Sequence, residues 1–304
     1  MRVLALNPRE SYTLAGLFES GCMLCCKRVV YGGIEDGACT TERADAVIDA
    51  IGENARHIDT VVSFGLHGYA DVAEEVASRV GARVQFVTSE VRVCVRDVAT
   101  LTGFPEIRRG TSFEGAELCA YLLNLGCAKA GLDPKRASVL VIDMDDSLLM
   151  AAVKNGEVVD FVNHLDEGPF YMRTAGGLAA RAVVDRCFQN AGELDVMQLY
   201  TQKGGMLAYL DATDSRSMLR NLMCDAQQEV LIARAMAYQI GREIGALAVS
   251  LGGRVDLVAF SGELSRIGTI RTCLSERTRF VGNAVWLTEQ DEVSGLANGV
   301  AMGG

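Results

Sequence analysis

The chain is short of positive charge. Its 29 lysines and arginines stand against 39 aspartates and glutamates, a formal net charge of −10. Such a surface makes a poor general binder of nucleic acid or of anionic membranes, which leaves only local basic patches for such roles. No apolar run approaches the roughly 18 residues of a membrane-spanning helix. Met1-Arg2 leads straight into Val3-Leu4-Ala5-Leu6, which has neither the length nor the cleavage site of a signal peptide. These absences make a soluble cytoplasmic protein the expectation. Histidine is scarce, with only His57, His67 and His164. Proline is scarcer than glycine by 4 to 32, which suits an α/β chain with many tight turns. No stretch is low in complexity, and no linker stands out.

Cysteine, by contrast, is plentiful, with ten residues. Without an export signal they should be reduced thiols. Most lie singly in apolar patterns, as small buried hydrophobes do. Cys22-x-x-Cys25-Cys26 with Cys39 has the composition of a metal cluster. However, 22–30 reads as a strand, in which residues three apart point to opposite faces. Structural thiols are therefore the preferred reading.

At 304 residues, 49% apolar and 22% charged, the chain has the size of two ordinary globular domains. Strands are expected over Arg2–Leu6, Tyr12–Glu19 and Met23–Tyr31, forming a meander. A helix over Thr41–Asn54 follows, capped by Thr40 or Thr41. His57–Ser63 reads as a buried strand, Ala70–Val80 as a helix ended by Gly81, and Arg83–Thr88 as a strand. A helix over Ser112–Ala130 precedes a second set of strands. The run Val139–Asp143 ends in the acidic turn Asp143-Met144-Asp145-Asp146-Ser147, Leu148–Val153 leaves it, and Lys154-Asn155-Gly156-Glu157 turns the chain into Val158–Val162. Then come a glycine-rich loop (Gly168, Gly176, Gly177), a helix around Leu178–Asn190, and short segments to Thr213. A long helix over Asp225–Leu251, apolar nearly all round, should be buried. A strand at Val255–Phe260, a helix at Arg266–Glu276, a strand at Phe280–Leu287 holding Trp286 in the core, and a helix at Glu292–Met302 complete the pattern. The meander-plus-helix pattern occurs twice, which suggests two similar domains.

Several motifs in the second half have the order and spacing of a known family. They include Lys154-Asn155-Gly156-Glu157-Val158-Val159-Asp160, Gly168-Pro169-Phe170, Gly176-Gly177-Leu178 and Lys203-Gly204-Gly205-Met206-Leu207-Ala208-Tyr209-Leu210. The helix Ala235–Ala246 continues the match. From about Gly103 to Ala301 the chain resembles butyrate kinase, in the acetokinase branch of the superfamily that also holds sugar kinases and actin. Arg2–Pro8 and Phe104-Pro105-Glu106-Ile107 fit the same pattern, while the stretch between Gly68 and Tyr69 looks shortened. The resemblance implies an α/β fold of two ribonuclease-H-like domains around a central cleft. One domain would span residues 1–100, with a closing helix at 291–304 packed back onto it. The other would span 101–290 and carry the nucleotide-side loops.

The family moves a phosphoryl group between ATP and a short-chain carboxylate, chemistry that depends on positioning and on cations or N–H donors at the phosphate oxygens. ATP and magnesium are the implied cofactors, and a homodimer the implied assembly. At the positions where the family holds phosphate, this chain departs from the pattern. Arg9-Glu10-Ser11 replaces a glycine-, serine- and lysine-bearing loop. Phe64 replaces an arginine. Thr88, with Glu90 nearby, stands where an aspartate is associated with magnesium. Thr174 replaces an arginine, with Arg173 before it. Asp143 aligns with the histidine that donates to the transferring phosphoryl, and Asp145, Asp146 and Ser147 align with glycines whose bare N–H groups would approach it. The nucleotide side is better kept, at Gly204-Gly205, Ser261-Gly262-Glu263 and Asp291, though Glu263 replaces a glycine.

The expectation is a catalytically degenerate butyrate-kinase-like protein serving as a binding, regulatory or scaffold subunit, with a partner enzyme subunit as one setting for it. A divergent acyl kinase with a rebuilt phosphate site is the alternative. A metal- or acyl-ligand sensor using Asp143, Asp145 and Asp146 is the third, since hard oxygen ligands suit Mg²⁺ or Ca²⁺. A solvated acidic turn is the plainer reading of those three residues. His164, beside Asp166 and Glu167, reads as a surface or capping residue rather than a catalytic one.

Overall fold

The computed structural model describes residues 1–31, 39–65, 70–88, 91–189, 202–210 and 227–301. The readings that fall on His67, Gly68, Tyr69, Glu90, Cys224, Asp225, Met302 and the segments up to Thr213 lie outside these residues. Two compact units emerge: Met1–Glu90 with Leu287–Gly304, and Val91–Trp286.

In the first unit, β1 (Arg2–Pro8), β2 (Tyr12–Glu19) and β3 (Cys22–Val30) form the antiparallel meander. Helix α1 (Thr40–Ile51) leads to β4 (Thr60–Phe64), and α2 (Ala70–Val80) to β5 (Arg83–Val87). The sheet order is β3-β2-β1-β4-β5, with β4 parallel to β1 and β5 parallel to β4. Strand β1 is apolar without alternation because both its faces are covered. Leu4 and Leu6 pack with Ala44 and Val47 of α1 and Val72 and Val76 of α2.

The second unit opens with β6 (Arg92–Val93), a one-turn helix α3 (Asp97–Thr100) and α4 (Ala116–Ala130). The strands β7 (Ser138–Met144), β8 (Leu148–Lys154) and β9 (Glu157–Phe161) form the second meander. Helices α5 (Ala180–Gln189), α6 (Gly205–Leu210) and α7 (Gln227–Ser250) follow. Then come β10 (Leu257–Ser261), a 3₁₀ turn at Leu264–Arg266, α8 (Gly268–Thr278) and β11 (Asn283–Trp286). The order is β11-β10-β7-β8-β9-β6. From β9 to β11 this repeats the first sheet strand for strand: an antiparallel meander, then two parallel strands. Even the register shift between the second and third strands recurs, at Leu17/Phe18 and at Ala152/Val153. The ribonuclease-H-like pattern is thus present twice. Helix α9 (Glu289–Ala301) returns the chain to the first unit, where Val293 and Leu296 are fully buried.

Several sequence readings are corrected. Cys39, not a threonine, is the N-cap of α1, with no side-chain cap bond. Strand β4 begins only at Thr60, because His57 takes a left-handed φ of 63° that no strand tolerates. Helix α4 starts at Ala116 rather than Ser112, with the poor helix former Gly115 at its N-cap. The long helix is amphipathic rather than buried all round. Ile232, Met236, Ile240, Ile244 and Leu247 form its inner stripe, while Leu231 and Val249 lie outside. Trp286 is half-buried, stacked on Phe260 at 4.1 Å with the Arg271 guanidinium 4.9 Å above its ring. Among the described cysteines only Cys119 and Cys127 are buried, and burial pushes their thiols up to about 12 and about 11. Among the described residues no helix is long and apolar enough to cross a membrane.

Where α7 packs against the second meander lies a testable charge cluster, with Ser250 donating to Asp160 at 2.5 Å. Arg109 donates to Asp160 at 2.6 Å, to Glu167 at 2.7 Å and to the Phe161 carbonyl. Glu243 of α7 adds a further carboxylate there, and its pKa is raised by burial first and then by Glu167 and Asp160. The folded state therefore favours the protonated form. That contribution is complete below the unfolded carboxylate pKa and is lost as pH rises through the raised one. Glu243→Gln should raise the melting temperature at about pH 7, and the gain should vanish near about pH 4, where the carboxyl is largely protonated in both states. Thermal melts of both proteins across that range check it.

Candidate functional site

Parallel strands bring their carboxyl ends to one edge of each sheet, the edge at which open α/β sheets usually take ligands. The candidate residues fall there. Asn7 and Pro8 end β1 with Arg9 to Ser11 after them, Phe64 ends β4, and Thr88 follows β5. In the second unit, Asp143 and Met144 end β7 with Asp145 to Ser147 after them, and Ser261 ends β10 with Gly262-Glu263 after it.

The second unit's tip is an acidic turn with its polar groups already engaged. Asp143 is 2% exposed and sits opposite Ser261 in the β7–β10 pairing, where the serine hydroxyl donates to Asp143 Oδ1. Asp145 is 4% exposed, and its Oδ1 accepts the Asp146 N–H at 3.0 Å. One of the N–H groups that glycines would have left bare is thus taken by the loop's own carboxylate. The Tyr171 hydroxyl donates to the Asp145 carbonyl at 2.7 Å. Asp146 is half-buried and Ser147 exposed. Gly262 holds the β10 turn against this tip: at φ 84° its missing Cβ would lie 2.3 Å from the Met144 carbonyl carbon. Ser265 donates to the Gly262 carbonyl at 2.7 Å, and Glu263 is half-buried at the start of the 3₁₀ turn.

The other glycines of this unit are structural in the same sense. The Tyr171 N–H reaches the Thr174 carbonyl at 3.0 Å, Gly204 N–H the Arg173 carbonyl at 3.0 Å, and Met206 N–H the Tyr171 carbonyl at 2.9 Å. Gly205, at φ 61°, stands where a Cβ would be 2.0 Å from the Tyr171 oxygen. Residues 171–174 and the start of α6 are therefore one backbone-bonded knot, tied to the acidic tip by Tyr171. Thr174 is buried within it and presents no cation. Gly204, Gly205, Ser261, Gly262, Thr174 and the acidic turn are thus brought together.

The first unit's tip is closed from within. The Arg9 N–H bonds the Tyr12 carbonyl at 2.7 Å. The Arg9 side chain points inward, where its Nη2 donates to Glu292 Oε2 at 3.1 Å, and Asn7 Nδ2 donates to the same oxygen at 2.8 Å. The Glu292 side chain has no exposure and that of Arg9 8%. Glu10 is exposed, and its carbonyl accepts from Arg43 of α1 at 3.2 Å. Arg43 in turn lies 4.9 Å over the Tyr31 ring. Arg28 of β3 stands over Tyr12 at 4.3 Å and bonds Glu289 through Nε at 2.9 Å. Phe64 is core, at 2% exposure, and Thr88 is a solvent-facing hydroxyl. Asp291 caps the closing helix: its Oδ2 accepts the Thr288 N–H and hydroxyl, each at 2.8 Å, and its own N–H returns to Thr288 Oγ1 at 3.1 Å. The spacing Thr288-x-x-Asp291 is the capping-box signal that a reading of Asp291 as a ligand residue overlooks.

Arg28 and Arg43 were missed by motif reading. Among the described residues no group of three or more histidines, cysteines or carboxylates is placed to hold a metal ion. His164 is half-buried in the loop after β9, and burial lowers its pKa.

No protein-family model matches the chain. A probable butyrate kinase from Thermotoga petrophila is 29% identical over 205 residues, 67% of this chain. That match spans 57% of the relative's own length. The acetate kinase structure from Porphyromonas gingivalis superposes with a TM-score of 0.65 at 15% identity, covering 99% of each chain. A propionate kinase structure from Francisella tularensis superposes with a TM-score of 0.59 at 13% identity, covering 98% of this chain and 99% of that one.

Proposed function

We propose that this chain, a butyrate-kinase homologue with the acetokinase-type fold, is catalytically degenerate and acts as a binding, regulatory or scaffold subunit. The observation that carries the reading is the second unit's tip. Phosphoryl transfer needs donors aimed at the phosphate oxygens. Here the tip holds two buried carboxylates, and one of them accepts the loop's own Asp146 N–H. The nucleotide-side glycines do not argue against this. Gly205 and Gly262 are required by the close backbone contacts they make, whether or not a nucleotide binds.

A second reading, a divergent ATP-dependent carboxylate kinase, is favoured by Arg28 and Arg43. The fold delivers both to the neighbourhood of the first unit's tip, where the sequence has lost its lysine. Assay of the purified chain with butyrate, ATP and magnesium separates the two. Release of ADP coupled to acyl phosphate would establish the second reading and end the first.

A further inference from the structure

The resemblance brings magnesium with it, and the described residues of the first unit's tip do not fit that ion. The position associated with magnesium carries Thr88, a neutral hydroxyl facing solvent. The carboxylate buried at the first unit's tip, Glu292, is already matched with a cation of the chain's own. We infer that Arg9 is a resident counter-ion, fixed where a hydrated divalent cation would otherwise sit beside Glu292, so that this tip is built to work without metal.

Three features support the assignment. A carboxylate with no exposed surface needs a compensating charge, since burying it alone is far too costly. The Arg9 guanidinium supplies that charge at 3.1 Å, and the Asn7 amide donates to the same oxygen at 2.8 Å. The arrangement is also fixed by the backbone: the Arg9 N–H is tied to the Tyr12 carbonyl, and Glu292 N–H to the Thr288 carbonyl at 3.1 Å. The guanidinium therefore arrives on a closed turn and the carboxylate on the first turn of α9. A planar, permanently charged group suits such a site. Hard cations, by contrast, need several oxygen ligands or retained waters, and two N–H donors already stand at that oxygen.

The inference is independent of the reading of the second unit's tip, and its test does not use activity. Mn²⁺ binding to the full chain is followed by electron paramagnetic resonance, with circular dichroism of the same samples to establish folding. The wild type should show no Mn²⁺ uptake that Glu292→Gln removes. Arg9→Met, which keeps the apolar stem, and Arg9→Gln, which keeps a donor to the carboxylate, should each gain one site. Its affinity should be about 0.1–1 mM, as for cation sites of low ligand charge. The added site should disappear when Glu292→Gln is combined with either. Mn²⁺ bound by the wild type and lost in Glu292→Gln would overturn the inference. So would a folded Arg9 variant that binds no more Mn²⁺ than the wild type.

Discussion

Incubated with butyrate, ATP and magnesium, the chain should release ADP no faster than the uncatalysed background. A carboxylate about 4 Å from a transferring phosphoryl repels it by roughly 1–4 kcal/mol at surface-like screening. Each oxyanion donor that is missing costs about 3 kcal/mol more. Asp143 and Asp145 supply the repulsion, and the Asp146 N–H held by Asp145 is one donor already committed. Phe64 and Thr174, buried and uncharged, return no cation at the positions where the resemblance places arginines. Two repulsions and three absent donors amount to roughly 11–17 kcal/mol, most of the acceleration that an enzyme of this kind provides. A coupled ADP assay checks the expectation. Turnover near about 1 per second, at the low end of ordinary enzymes, would refute it.

Glu292→Ala should be the most damaging single change at the first unit's tip. It removes the Glu292 carboxylate from Arg9, whose side chain is 8% exposed, and takes the acceptor from Asn7 Nδ2. Breaking a buried ion pair from one side costs roughly 3–5 kcal/mol. That is a large part of the 5–15 kcal/mol, roughly, by which domains are stable. The neighbouring Asp291→Ala removes only a helix cap and should cost about 1 kcal/mol. Urea unfolding of the two variants side by side gives the contrast. A double variant, Arg9→Met with Glu292→Leu, should be more stable than Glu292→Ala, because no unpaired charge then stays buried. Equal midpoints for Glu292→Ala and Asp291→Ala would show that the pair has no such role.

The sheets were legible because their signals are local. Apolar runs such as Val3–Leu6 and Val139–Ile142 need only their own composition to read as covered strands. The turn Lys154-Asn155-Gly156 announces itself by the residue types that accept positive φ, and Asn155 and Gly156 take 55° and 78°. Element ends were less legible, because what decides them is not apolar pattern. His57 breaks a strand by its φ, and Gly115 delays a helix. The site was half legible. The acidic turn and the β10 turn could be placed from sequence, but their joining through Ser261 and Asp143 depends on a pairing 118 residues apart. Arg9 and Glu292 lie 283 residues apart, beyond any spacing rule. One local hint existed. Glu292 precedes the buried Leu296 by one helical turn, so it is an acid on the apolar face of α9 and needs a partner.

The central claim is that each tip commits donors to the chain's own carboxylates, the Asp146 N–H to Asp145 and Arg9 and Asn7 to Glu292, and so offers a phosphate little to bind. Calorimetric titration with adenosine, ADP and ATP, each with magnesium, tests it most directly. The account predicts that added phosphates bring no gain: either none of the three binds, or all bind alike. Affinity rising about tenfold or more from adenosine to ATP, about 1.4 kcal/mol, would contradict it.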